Sequence, residues 1–531
     1  MSASARPALR DAVAELAAAP RRAALSRRTV LLAALGAVLA LAVALRLTGL
    51  TAQSLWYDEG SSLLRSGGAS WSAWAADLTA THASERYQPL YFALLRAWRG
   101  VAGDGEAALR GLSVVCGVAA VAVIGAAGGL VGGARHGVLA ALLLAASAFA
   151  VTYSQEVRPY ALLMLLAALQ LWAVLHGVAR PQRSGAARRV AWLVGGLGAY
   201  AGPFAILASA ALAAAHLAVT RRWRAWLAWW GPVLLLALPL LVYLALSLVD
   251  PAPPRAEVVN PRQQPLWQNA LFVAYGLIGG ASFGPPPESL RGGAAALYGW
   301  LPALAALAAA AAICAGLAWR ARRAVDDAHR RLVRLLALTL AVGVVAQLAF
   351  AALSGFNWQP RHACALLLPL VLLAPLAVTA ARGAAARAGA LALAALLVAN
   401  GLSLAHYFGD PAYQRDDYRA AAAYLRGAAG PDTAVVVLWG RPELLAYYGA
   451  AGAIDGTLFG RGYLAQRLDA AVGAHRDVLL VLNRAYYFDD DPAAALRQTL
   501  AAQFAPAGSA SLPAFEFHRF RRIGGAAGEG H

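Results

Sequence analysis

Asp58 and Glu59 stand side by side in Leu-Trp-Tyr-Asp-Glu-Gly, a few residues beyond the first long apolar run of a 531-residue chain. A carboxylate at a bilayer border loses part of its hydration and feels its acidic neighbour, and both effects raise its pKa toward the range of a general base. The plain alternative is a solvated pair at a helix end. Glu156 and Arg158 lie in the short stretch Ser154 to Pro159 between two apolar runs. So short a loop keeps its charges at the membrane surface, where an unpaired charge is costly, and the two are expected to pair with each other or with a substrate. A helix-end salt bridge of little energy is the alternative. Arg361, in Asn-Trp-Gln-Pro-Arg-His, falls on the arginine-poor side of the membrane, where a guanidinium can grip a phosphate in two places or simply anchor at the headgroups. His82 and Glu85, shortly before Gln88, could bind a divalent cation, although no sequential metal spacing is present. There is no Walker loop, dinucleotide fingerprint or nucleophile elbow, which leaves a soluble nucleotide donor unsupported.

The composition says what kind of scaffold must hold these residues. Hydrophobic residues make up 60% of the chain and charged residues only 14%. A soluble globular protein carries about 25% charged residues, so an ordinary soluble enzyme and a disordered chain are both excluded. All 45 basic residues are arginines and the net charge is +18, which favours phosphate or lipid-headgroup partners. The arginines cluster between apolar runs rather than along one polar face, a pattern of membrane topology and not of nucleic-acid binding. Cys116, Cys314 and Cys364 are scattered within or beside apolar runs and read as packing residues.

Six arginines between Arg6 and Arg28 precede an apolar run from Val30 to about Leu50, too long for a secretory signal. Residues 1–28 are therefore expected inside and the run is the first span. Ten more apolar runs between Leu112 and Leu404 give about eleven transmembrane helices over residues 29–405. The arginines near 135, 180–189, 221–224, 320–334 and 382–387 then all fall on the N-terminal side, as the positive-inside rule asks. This topology puts outside the loop 51–110, the proline-rich loop 249–293 and everything from 406 to 531. Within the first loop Pro89 to Ala102 should form an interfacial helix, with Tyr91, Leu94, Leu95, Trp98 and Val101 on its apolar face. After His406 the chain turns polar. Strands are expected at Val435–Leu438, Val478–Leu482 and Phe515–Phe520, and helices at Asp417–Arg426 and Pro492–Phe504, giving a small α/β domain with a core of its own. The fold class is an α-helical polytopic membrane protein with a C-terminal extracytoplasmic α/β domain.

The arginine-rich start, single span, Trp-Tyr-Asp-Glu, Gln-Pro-Leu-Tyr, Ala-Leu-Arg-Gly-Leu-Ser and Ser-Gln-Glu-Val-Arg-Pro-Tyr together resemble the bacterial GT-C superfamily of membrane glycosyltransferases. The likeness is to the family 39 group that includes protein O-mannosyltransferases and the lipid A aminoarabinose transferase, and it is most specific from Leu55 to Tyr160. The tract Gln414 to Leu425 resembles the start of the outer domain in many members. The resemblance implies a GT-C-type fold and a sugar donor carried on polyprenyl phosphate. It implies an envelope glycan, lipid or protein as acceptor on the outer face of the plasma membrane. It also implies Asp58 as the main catalytic acid or base, Glu59 as its companion and Glu156 as the second outer-loop acid, with Gln88 and Tyr160 in the matching motifs as substrate-binding positions beside Arg158 and Arg361. Two departures stand out: Tyr87-Gln88-Pro89 replaces a frequent Pro-Pro preceded by His or Lys, and the second acid is often aspartate. A lipid-linked sugar flippase is the alternative from another class, but it would place polar groups near the bilayer midplane and show a pseudo-repeat of halves. A receptor or assembly protein with incidental acids is a third.

Overall fold

The computed structural model describes residues 29–81, 84–249, 265–286, 289, 294–321, 326–455, 472, 473, 475–484, 497, 498 and 500–523. Among them, nine helices are long and apolar enough to cross a membrane: Thr29–Leu47, Glu106–Gly132, Tyr160–Ala179, Pro203–Thr220, Trp223–Ser247, Ala295–Arg320, Asp327–Ser354, Pro360–Thr379 and Gly383–Gly409. A tenth crossing is the pair Ala134–Ala145 and Ala148–Ser154, bent by 60° where Ser147 caps the second helix. The remaining expected span is the helix Gly185–Ala199, whose 15 residues rise only about 22 Å against a hydrocarbon core of about 30 Å. All eleven apolar runs are thus helical; among the described residues nine of these helices pass as spans by length and composition, or ten with the bent pair. The N-terminal 1–28 segment and residues 250–264, 287, 288 and 290–293 of the loop 249–293 lie outside the described residues; the rest of that loop carries the helix Leu266–Gly279.

The helix Pro89–Ala102 has the expected bounds, with proline in its first turn. Its buried face is Tyr91, Phe92 and Leu95, whereas Leu94 and Val101 are exposed. Arg96 donates to the carbonyls of Gly67 and Gly68, and Arg99 to that of Leu63, so the arginine face grips the preceding segment.

The C-terminal stretch builds a five-stranded sheet of order β2-β1-β3-β5-β4, with β1 Thr433–Leu438, β2 Ile454–Asp455, β3 Asp477–Asn483, β4 Phe504–Leu512 and β5 Phe515–Arg522. β1 runs parallel to β2 and β3, and β5 antiparallel to β3 and β4. The near-continuous apolar runs of β1 and β3 suit central strands covered on both faces. Their alternate residues divide accordingly: Val437, Leu479 and Val481 face one buried cluster, Val436, Leu438, Val478 and Leu480 another. β4 was not expected, since its Ala, Gly and Ser residues are mostly exposed. The helix expected over Pro492–Phe504 lies largely outside the described residues, and Phe504 itself opens β4.

One face of the sheet carries its own core, with Val436, Leu438, Val478, Leu480, Phe504 and Phe520, and the other does not close on itself. The cluster that takes one of its faces continues through Tyr418, Leu425 and Leu444 into Leu55, Leu95 and Ile124 of the membrane part. Contact is closest at Gly60, where an added Cβ would stand 2.8 Å from Leu444 Cγ. This interpenetration brings residues from both halves of the sequence to one border of the membrane.

Candidate active site

The short helix Tyr57–Arg65 starts with Asp58 and Glu59 in its first turn, where carboxylates favour the helix dipole. Glu59 Oε2 accepts the backbone N–H of Trp56 at 3.2 Å, closing the helix start. Glu59 is wholly buried and meets Arg110 through both oxygens, at 2.9 and 2.8 Å, while Oε1 also accepts the Val157 N–H at 2.9 Å. Burial pushes its carboxyl up, yet Arg110 outweighs burial and holds it below the usual carboxylate range. With its lone pairs spent and no exposed surface, Glu59 positions the site rather than touching a substrate.

Each residue from Ser154 to Tyr160 has a separate task. Ser154 Oγ accepts from Arg46 Nε at 3.1 Å, and Gln155 Nε2 donates to the Arg46 and Thr48 carbonyls at the end of the first span, satisfying orphan acceptors there. Gly117 leaves this seam its room, for a Cβ there would lie 2.1 Å from Ser154 Oγ. The Val157 N–H ties the loop to Glu59. Arg158 reaches back to the Asp58 carbonyl at 3.2 Å and to Glu85 at 3.8 Å, with Tyr160 beside its guanidinium at 5.9 Å.

Of the two expected partnerships, with each other or with a substrate, Glu156 and Arg158 do not make the first. Glu156 Oε1 accepts from Arg415 at 2.5 Å, and its Oε2 is buried with no partner. The pairing runs instead between segments far apart in sequence, because the polar tract after the last span folds back over the loop. Burial pushes the Glu156 carboxyl up, Arg415 opposes it, Glu59 and Asp58 add to it, and the net rise is to about 7.

Arg361 sits in the first turn of the span Pro360–Thr379, where the helix end itself favours an anion. The anion it meets is Asp58, at 2.8 Å. Asp58 therefore departs from the expected rise. Burial does push it up, but Arg361, then Arg158, Arg484 and Arg441, pull harder, and the carboxyl lies below its ordinary value. Both guanidiniums keep an unused edge: Nε of Arg361 and Nε of Arg158 are buried without a hydrogen-bond partner. Gln88, the residue that precedes the helix Pro89–Ala102, likewise buries an unpartnered Oε1.

Sequence reasoning missed the arginines beyond the spans. Arg415 and Arg484 flank the Trp56 ring at 5.2 and 5.1 Å, and Arg441 lies 4.3 Å from the Tyr57 ring while donating to Ser61 Oγ at 2.6 Å. Arg484 holds Asp416 at 2.7 Å from a left-handed backbone, φ 52, that arginine adopts only when its surroundings impose it. The only signal in the sequence was the motif-bearing tract Gln414 to Leu425, which contains Arg415 but not Arg441 or Arg484.

Among the described residues no three His, Cys, Asp or Glu side chains gather as a metal site. His82 lies outside the described residues, and Glu85 faces Arg158. Asp58, Glu59, Glu85 and Glu156 each meet a guanidinium.

Residues 83–247 match the family model described as dolichyl-phosphate-mannose-protein mannosyltransferase. No curated protein matches the chain by sequence. Among solved structures, the chain is similar to ArnT from Cupriavidus metallidurans in the apo state, at TM-score 0.56 and 15% identity over 94% of this chain and 98% of that one. The same protein bound to undecaprenyl phosphate gives TM-score 0.54 and 14% identity over 95% and 99%. The archaeal oligosaccharyltransferase AglB from Archaeoglobus fulgidus, in complex with an inhibitory peptide and a dolichol-phosphate, gives TM-score 0.50 and 13% identity over 93% and 74%.

Proposed function

We propose that this multi-pass membrane protein is a GT-C glycosyltransferase of the ArnT-like and protein-mannosyltransferase-related kind, which transfers a sugar from a polyprenyl-phosphate-linked donor to an acceptor hydroxyl; the family-model match over residues 83–247 and the ArnT-like fold support this reading. Transfer takes place at the border that carries Asp58, on the outer face of the plasma membrane, a reading that the arginine alternation supports. One observation carries the reading: Arg361 holds Asp58 with one nitrogen and buries its Nε without a hydrogen-bond partner, so a single guanidinium joins an acid to an unsatisfied donor that an anion would satisfy. The lipids in the ArnT and AglB complexes, undecaprenyl phosphate and dolichol-phosphate, support a donor of this class.

In the proposed step Asp58 takes the proton from the acceptor O–H, whose oxygen attacks the anomeric carbon with inversion. The bond from that carbon to the phosphate oxygen breaks, and the departing polyprenyl phosphate takes the electron pair. Arg361 and Arg158 stabilise its charge through the unused Nε–H groups. Glu156 Oε2 accepts a hydrogen bond from a substrate hydroxyl. The acceptor is a hydroxyl-bearing envelope glycan, lipid or protein. The flippase alternative gains nothing here, because these charged residues lie at one border of the membrane and not at its midplane.

Arg361→Lys tests the phosphate role, since lysine keeps the charge but loses the planar fork. The donor KM should rise about tenfold or more, with a smaller change in kcat and normal insertion. Equal donor dependence in variant and parent would reduce Arg361 to a structural partner of Asp58.

Glu156 supplies a pH test. With its carboxyl raised to about 7, the group is ionised only above that pH. Transfer should therefore fall as pH drops through about 7, whereas Asp58, held low, stays ionised there. Glu156→Gln should abolish that limb and leave a low, flat rate. The folded carboxyl binds its proton more tightly than the unfolded one, so Glu156 also makes stability decline as pH climbs from the ordinary carboxylate value through 7. The same substitution should remove that slope in thermal unfolding. A variant that keeps the activity limb would assign it to another group.

A further inference from the structure

Consecutive antiparallel helices joined by a short connection ordinarily pack on each other. The spans Ala295–Arg320 and Asp327–Ser354 do not, and a groove of about 930 Å³ separates them. Its walls are almost wholly apolar, among them Leu277, Cys314, Ala337, Ala341 and Leu370. Two arginines break that character. Arg330 and Arg334, four residues apart and so on one helix face, both line the groove near the N-terminal end of the span Asp327–Ser354. Trp319 lines it from the other wall, half exposed, as tryptophan does at headgroup depth. Arg330 holds Asp327 at 3.3 Å, while Arg334 is exposed and no described carboxylate lies within ion-pair distance of it.

The position of this charged end sets it apart from the proposed transfer site. Arg330 and Ser354 are separated by 24 residues along one helix, a rise of about 36 Å, which exceeds the hydrocarbon thickness of about 30 Å. Arg361 follows directly at the far end, on Asp58. The guanidinium end of the groove therefore lies on the membrane face opposite the carboxylate cluster, and a phosphate bound there is not the donor phosphate in its reacting position.

We propose that this groove is a binding site for an anionic phospholipid, its phosphate held by Arg330 and Arg334 and one acyl chain laid between the two spans. Charge complementarity selects the anionic class: two guanidiniums line the groove, Arg334 has no described carboxylate within ion-pair distance, and Asp327, which meets Arg330, is largely exposed at the helix start. The chain fills apolar space that would otherwise be left without packing partners, and so couples the span leading to Arg361 to the span before it.

The test uses the full-length protein purified in detergent, with dioleoylphosphatidylglycerol and dioleoylphosphatidylcholine as probes. Native mass spectrometry should retain one phosphatidylglycerol per chain, and that lipid should raise the Tm by about 3 °C or more over the same concentration of phosphatidylcholine. Arg330→Gln with Arg334→Gln should abolish the preference and leave the lipid-free Tm close to the parent value. Ala337→Phe, which fills the groove, should weaken retention of both lipids. Equal protection by the two lipids, or a preference that survives the double arginine variant, overturns the proposal. Because no readout involves sugar transfer, its failure is separate from failure of the glycosyltransferase reading.

Discussion

Asp58→Asn is expected to cut sugar transfer by about a hundredfold or more while leaving the protein folded and inserted. Asparagine keeps the volume and can still accept from Arg361, but it cannot take the acceptor proton. The fold should tolerate the change because the Asp58 and Arg361 side chains remain 20% and 26% exposed, and an ion pair in partial contact with water contributes little stability. Turnover in the purified variant, measured beside its thermal unfolding, checks both halves of the expectation. Near-parental turnover would move the base elsewhere, with Glu156 the next candidate.

Glu59→Gln should do the reverse, acting on the fold before it acts on chemistry. Arg110 would be left as a buried cation without its counter-charge, and breaking such a pair from one side costs about 3–5 kcal/mol. The Val157 and Trp56 N–H groups would also lose their anionic acceptor. The expected outcome is poor yield and a markedly lowered Tm. A well-folded Glu59→Gln protein with selectively lost transfer would return Glu59 to the reacting centre.

The two adjacent acids show where sequence reading stops. Their place just past the first span, and the helix that carries them, follow from apolar run length and from acids in a first turn. Their division of labour does not, because it depends on which arginine arrives from 51 residues away and which from 303. A border location alone suggested a raised pKa for Asp58, and four converging guanidiniums reverse the sign. The same limit explains the missing Glu156–Arg158 pair. A short loop brings the two close in sequence, but Arg415 approaches from the folded-back polar tract.

That tract reads as a separable domain on composition, since its strands and helices suffice for a core of their own. What composition cannot convey is that the helix Tyr418–Ala428, which covers one face of the sheet, packs on into the membrane part, with the Tyr418 hydroxyl accepting the Arg441 N–H and the Tyr418 N–H donating to Ser54 Oγ. Truncation after Leu404 would remove Arg415, Arg441 and Arg484 together. Span length is less legible than span position: the run before Ala201 forms a helix of only 15 residues, Gly185–Ala199, shorter than the hydrocarbon core is thick.

The most direct measurement is release of polyprenyl phosphate from a synthetic polyprenyl-phosphate-linked sugar by the full-length protein reconstituted in lipid vesicles, followed beside Asp58→Asn and Arg361→Lys. The account predicts time-dependent release in the parent, a rate at least about a hundredfold lower in Asp58→Asn, and a raised donor KM in Arg361→Lys. Release at the same rate in the parent and in Asp58→Asn would contradict the assignment of this cluster as the transfer site. Movement of the intact donor across the vesicle membrane without release would contradict the transferase reading itself.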